Sequence, residues 1–146
     1  NQKLKFKTKA GRVVFGGGGI TPDVFVAEDT TYITPYLVEA FGNNVFREFT
    51  MNYLISNKSK IAQMGFNSYL NGFQVTDAML ADFISIATKH GIPYQAKQFN
   101  LSKTFIKTNL KGLIARDVWK KQGLSNEYYK VLNQDDKMLK VALKQL

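Results

Sequence analysis

Residues 76–93, TDAMLADFISIATKHGIP, read as a helix with both ends marked. Thr76 has an N-cap hydroxyl that can accept a bond from an orphan first-turn amide, and Asp77 sets a carboxylate at the positive end of the dipole. Gly91 and Pro93 terminate the helix. Met79, Leu80, Phe83, Ile84 and Ala87 recur at three- and four-residue spacing on one face, with Asp82, Ser85 and Lys89 opposite. Such a stripe needs other helices to bury against.

The helical period continues on both sides. Upstream, Asp29 or Thr30 can cap a helix running to about Phe41, although Pro35 limits how early its regular part begins. Gly42-Asn43-Asn44 breaks the chain, and Asn43 or Asn44 can cap the next helix, whose buried face carries Phe46, Phe49 and Tyr53. Residues 65–74 are less regular and hold Phe66, Tyr69, Leu70 and Phe73. Downstream, Ser102 reads as the cap of a longer helix to about Lys121, with Ile106, Leu110, Leu113 and Ile114 as its stripe and Gly123 as its stop. Residues 125–132 and 135–146 complete the set, separated by Asn133. The count is five or six helices, with no fixed-period repeat.

The first 28 residues differ in kind. Residues 2–8 alternate Lys3, Lys5 and Lys7 with Leu4, Phe6 and Thr8, the period of a half-buried strand. Lys9-Ala10-Gly11 reads as a turn and residues 12–15 as the return strand. An unbroken glycine run, Gly16 to Gly19, precedes the turn residues Ile20-Thr21-Pro22-Asp23, and residues 24–27 read as a further short strand. Two or three short strands have too little to bury against. The fold class is therefore mainly α: a short N-terminal β-hairpin or strand segment (1–28) that needs a sheet from elsewhere, then a five- to six-helix domain (29–146).

The chain has 146 residues, of which 45% are hydrophobic and 13% aromatic, ample for a packed core and incompatible with a disordered tail. The absence of cysteine excludes a disulfide scaffold, a zinc-finger site and a cysteine nucleophile. A single histidine, His90, leaves little room for a histidine-based metal site, and its place at a helix C-terminus suits the dipole. Basic residues outnumber acidic ones by 20 to 11, for a net charge of +9, which raises nucleic acid or an anionic surface as a partner. No apolar run reaches the ~18 residues of a membrane span. No signal peptide is visible, and a start at Asn1 rather than methionine points to a piece of something longer.

Each candidate for chemistry has a structural reading beside it. The glycine run is followed by Ile20-Thr21-Pro22-Asp23, with no lysine and no helix, so it fails as a phosphate loop and as a dinucleotide fingerprint; close backbone packing is the better reading. Lys3, Lys5, Lys7, Lys9 and Arg12 form a basic edge, and Lys103, Lys107 and Lys111 run along the long helix with Arg116, Lys120 and Lys121. All but three basic residues (Arg12, Arg47 and Arg116) are lysine and few aromatics sit among them, which favours solvated faces over nucleic-acid contacts. Asp135-Asp136, Ser102 and Ser125 are explained as caps rather than as a carboxylate pair or nucleophiles. The residues assign no catalytic, cofactor-binding or metal-binding position.

One stretch goes further. Residues 6–15 (Phe6-Lys7-Thr8-Lys9-Ala10-Gly11-Arg12-Val13-Val14-Phe15), with Gly16 to Gly19, Ile20, Thr21, Pro22, Asp23 and Val24, resemble a segment of the bacterial C-terminal processing peptidases, tail-specific endopeptidases with a Ser/Lys pair. In that family a Gly-Ile-x-Pro-Asp signature follows the catalytic region, and one branch approaches it through Phe-x-Thr-x-x-Gly-Arg and extra glycines. Residues 110–116 through Trp119, then Tyr128-Tyr129 and Asn133-x-Asp135, are similar to that branch's helical tail.

The resemblance implies that the serine nucleophile, the lysine base and the substrate-gating PDZ domain precede Asn1, so no catalytic residue is carried onto any position here. It implies a C-terminal fragment, inactive alone, whose helical domain packs on the protease core. Its partners would be the rest of that chain, the parent's protein or peptide substrates, and a second copy through exposed strands, with no nucleic acid and no cofactor. The location would be the cell envelope, on the periplasmic side. Asp23 and Arg12 are expected to form a structural pair. The competing readings are a basic helical nucleic-acid-binding module and a protein-interaction module.

Overall fold

The computed structural model describes residues 5–16, 24–120 and 126–145. A two-stranded antiparallel hairpin, β1 (Lys5–Lys7) and β2 (Val13–Phe15), precedes seven helices among the described residues. These are α1 (Pro35–Gly42), α2 (Val45–Met64), α3 (Phe66–Gly72), α4 (Asp77–Lys89), α5 (Ala96–Trp119), α6 (Asn126–Asn133) and α7 (Lys137–Leu143). The class is the expected one, mainly helical with an N-terminal hairpin, and α3 adds a helix within the stretch read as irregular.

The hairpin closes as its sequence dictates. Lys5 pairs with Phe15, Phe6 with Val14 and Lys7 with Val13. Gly11 adopts φ +80°, and its amide donates to the Thr8 carbonyl at 2.9 Å, while the Thr8 amide donates to the Arg12 carbonyl at 2.8 Å. Residues 24–27 form no strand, because no described strand lies beside them to complete a ladder. Residues 2–4, Gly17 to Gly19, the Ile20–Asp23 turn, the Asp23–Arg12 pair, Gly123 and Ser125 lie outside the described residues.

α4 has the predicted ends. The Met79 amide donates to the Thr76 hydroxyl at 3.2 Å. At the other end Gly91 sits at φ +78°, with Ile92 N–H on the Ala87 carbonyl and Gly91 N–H on the Thr88 carbonyl, both 3.0 Å. This is the Schellman closure, and both Ile92 and Ala87 are buried. Ile86 is fully within the core and Ile84 is half-buried, a slight rotation of the predicted stripe.

Two caps fall elsewhere than expected. α1 is capped by Thr34, whose hydroxyl accepts from the Leu37 amide at 3.3 Å, with Pro35 in the first helical position where its missing N–H costs nothing. Asp29 instead closes a turn on Thr31, accepting from that residue's amide at 3.0 Å and hydroxyl at 2.6 Å. Ser102 is not a cap at all: α5 begins at Ala96, and Ser102 is fully buried inside it. Its hydroxyl donates to the Tyr32 carbonyl at 2.6 Å and lies 2.8 Å from the Thr34 hydroxyl, clasping the approach to α1 against α5. Asn43 closes the end of α1, whereas Asn44 precedes α2 with φ 57° and no capping side-chain bond.

The core is a continuous run of aromatic rings. From the approach to α1 it passes Tyr32–Phe105 (4.6 Å between centroids), Phe105–Phe41 (6.1 Å), Phe41–Phe46 (4.2 Å), Phe46–Phe83 (4.8 Å) and Phe83–Phe49 (6.3 Å). It continues through Phe49–Tyr53 (5.9 Å), Tyr53–Phe73 (6.5 Å), Phe73–Tyr69 (4.5 Å), Tyr69–Trp119 (5.0 Å) and Trp119–Phe66 (5.4 Å). Ile106, Leu110 and Ile114 of α5, all fully buried, pack alongside. Gly112 lets α6 approach: a Cβ there would stand 2.9 Å from both the Tyr128 ring and Leu132. The Tyr128 hydroxyl fixes that ring by donating to Asn109 Oδ1 at 2.9 Å.

Two substitutions test this packing. Ser102→Ala leaves the Tyr32 carbonyl and Thr34 hydroxyl short of a partner, and should cost about 1–3 kcal/mol in a denaturant titration. Tyr36 has the opposite sign. Its hydroxyl is buried with no hydrogen-bond partner among the described residues, so Tyr36→Phe should gain roughly 1 kcal/mol at neutral pH. Burial, and then the nearby Tyr94 phenol, push the Tyr36 phenol up to about 12 from the ordinary 10.0. Above pH ~10 the unfolded chain gives up that proton before the folded chain does, so stability should fall from pH 10 to 12. Thermal melts across that window should show a shallower fall for Tyr36→Phe.

Candidate interaction surface

The hairpin has two unlike faces. Phe6 and Val14 share one, and the Phe6 ring lies against Gly16, where an added Cβ would meet it at 2.8 Å. Lys5, Lys7, Val13 and Phe15 share the other. Both rings are more than half exposed, Phe6 at 56% and Phe15 at 63%. Both outer strand edges also lack a described strand beside them. Apolar exposure continues along the chain with Phe25, which is 83% exposed, and then Ile33. Val38 and Phe41 carry it onto the outer side of α1, where Phe41 meets the half-buried Phe105. The sequence marked the hairpin as short of a sheet. It did not mark Val38 and Phe41, whose exposure depends on how α1 is rotated against α5.

Four basic residues of α5 are engaged within the chain. Lys103 and Lys107 stand 3.2 and 3.8 Å from Asp77, whose carboxyl they hold below its usual range. Lys111 Nζ donates to the Leu70 carbonyl at 2.7 Å and lies over the Tyr69 ring, while the Tyr69 hydroxyl donates to the Lys111 carbonyl at 2.8 Å. Arg116 forms two bonds to its neighbour Asp117, at 2.7 and 3.3 Å. Three members of the helical stripe therefore tie α5 to α3 and to the start of α4.

The remaining sequence candidates are structural in place. His90 Nε2 lies 2.7 Å from Glu48 Oε2, joining the end of α4 to the first turn of α2, with both side chains partly exposed. Asp136 caps α7 by accepting from the Leu139 amide at 2.9 Å, and Asp135 stands 3.7 Å from Lys140. Among the described residues no group of three or more His, Cys, Asp or Glu side chains is arranged to hold a metal ion. No helix among them is long and apolar enough to cross a membrane.

Fold and surface together define a helical domain with an aromatic core, preceded by a hairpin whose Phe6 and Phe15 rings are exposed. The chain belongs to a family of unknown function, DUF8443, which matches residues 36–123, from the first turn of α1 to just beyond α5. No curated protein and no solved structure matches it.

Phe6→Ser with Phe15→Ser separates docking from folding. Because both rings are exposed, the double variant should melt within roughly 0.5 kcal/mol of the parent chain. Its tendency to self-associate, followed by sedimentation velocity, should fall. A loss of several degrees in melting temperature would show instead that the rings support the fold.

Proposed function

We propose that this chain is the C-terminal helical part of a C-terminal processing serine endopeptidase, acting as a structural or regulatory domain that packs on the protease core. The observation that carries the reading is the hairpin. Two three-residue strands with aromatic side chains on both faces, and with no further strand beside them among the described residues, are unstable in water unless they join a larger sheet. The stretch that resembles the peptidases, residues 6–24, takes in all of β2, all but the first residue of β1 and the glycine run after them. In the parent, an activated serine would attack the peptide carbonyl, with a lysine as general base and an acyl-enzyme intermediate. This chain would contribute no group to that chemistry; its role would be to anchor and shield the sheet. The location consistent with this reading is the cell envelope, on the periplasmic side.

The rival nucleic-acid reading rested on +9 and the lysine stripes. Engagement of Lys103, Lys107 and Lys111 within the helical domain supports the structural reading of that stripe.

The parent protein provides the test. Amide hydrogen exchange should be slow at β1 and β2 in the parent and fast in the isolated chain. A serine-directed fluorophosphonate should label the parent and leave the isolated chain unlabelled. Phe6→Asp with Phe15→Asp should lower the parent's peptidase activity at least about tenfold by loosening the sheet. A reading frame upstream of Asn1 without a serine turn and lysine, or specific labelling of the isolated chain, would end the proposal.

A further inference from the structure

We propose that the cavity bounded by α3, α5 and the end of α6 is a binding site for a small oxyanion, the carboxylate or phosphate of a compact polar molecule. It lies in the helical domain, is built from other residues than the hairpin, and does not depend on the peptidase reading. The cavity holds about 290 Å³, roughly ten water volumes, and its wall presents Asn71, Gln74, Lys107, Thr108, Lys111 and Asp135. Val75 and Val131, both buried, supply its apolar lining and lower the local dielectric.

Charge balance carries the argument. Lys111 is half-buried, and its ammonium has a backbone carbonyl as partner, at 2.7 Å, rather than a carboxylate. Asp135 also lines the cavity, but it stands 3.7 Å from Lys140. Lys107 shares the single carboxylate of Asp77 with Lys103. Of the charged residues that line the cavity, two lysines, Lys107 and Lys111, stand against one aspartate, Asp135, an excess of positive charge where water is partly excluded. Burial pulls the Lys111 ammonium below its ordinary range, and the Asp135 carboxylate acts in the other direction. An oxyanion beside Lys111 would relieve that burial cost, since charge-assisted hydrogen bonds are the stronger kind. The Asn71 and Gln74 amides and the Thr108 hydroxyl offer both donors and acceptors, which suits a ligand with a polar body behind its anionic group.

Titration with inorganic phosphate and, separately, with succinate, followed by amide chemical shifts or calorimetry, tests the site. Saturable millimolar or tighter binding is expected for at least one. Phosphate alone would assign a phosphoryl group, and succinate alone a carboxylate. Lys111→Met, which keeps the apolar stem, should weaken binding about tenfold or more. Asp135→Asn removes the opposing carboxylate and should tighten binding by about fivefold, an effect that a purely structural lysine would not produce. Should Lys111→Met fail to fold, Asp135→Asn decides alone. Failure of both anions to bind, or an unchanged affinity in either folded variant, overturns the proposal.

Discussion

Phe83 of α4 touches both Phe46 and Phe49 of α2, and through those contacts the two halves of the aromatic run are joined. On one side the rings lead through Phe41 and Phe105 to Tyr32; on the other they lead through Tyr53, Phe73 and Tyr69 to Trp119 and Phe66. Every helix from α1 to α5 contributes at least one ring to this series. Edge-to-face and offset contacts prefer particular geometries, so each ring restricts the rotation of the helix carrying it. The matched family span, residues 36–123, contains every ring of the series except Tyr32. The helices are placed by these contacts more than by their own propensities: α2 and α5 carry only weakly segregated apolar faces, yet both are long and well buried at the rings.

How much of this was legible depended on whether the deciding signal was local. The ends of α4 were readable because Thr76, Gly91 and Pro93 act within a few residues of the backbone groups they satisfy. The hairpin was readable because strict alternation and Gly11 impose it. Ser102 misled because a serine before an apolar stripe looks the same whether it caps a helix or lies buried in one. Its partners, Tyr32 and Thr34, are about seventy residues away in sequence. Phe99 was the available signal, since it extends the stripe of Ile106 back by two turns and is buried. The cap of α1 went to Thr34 because Pro35 belongs in the first turn, so the preceding residue is the natural cap. The open hairpin was foreseeable in outline; the cavity at Lys111 was not, because it is assembled from three helices.

The charge of the chain takes on a different meaning once positions are known. Lys103 and Lys107 converge on the first turn of α4, and Lys111 reaches the end of α3. A spacing of four residues, which in sequence suggested a single exposed face, instead distributes contacts to two neighbouring helices. Lys107 and Lys111 bring positive charge to the α3–α5 cavity, and Lys5 and Lys7 bring it to the hairpin. These are separate electrostatic environments, one partly buried and one fully exposed, and salt screens the second far more than the first.

The Ser102 clasp also has a mechanical side. Tension applied through the hairpin and residues 24–31 reaches Tyr32 and Thr34 before it reaches any turn of α1. There it passes through two short hydrogen bonds into the second turn of α5, the longest helix among the described residues. The load path therefore bypasses the first helix and ends on the most heavily packed one. Within the helical body, the clasp would be the first point to register a pull on the N-terminal arm.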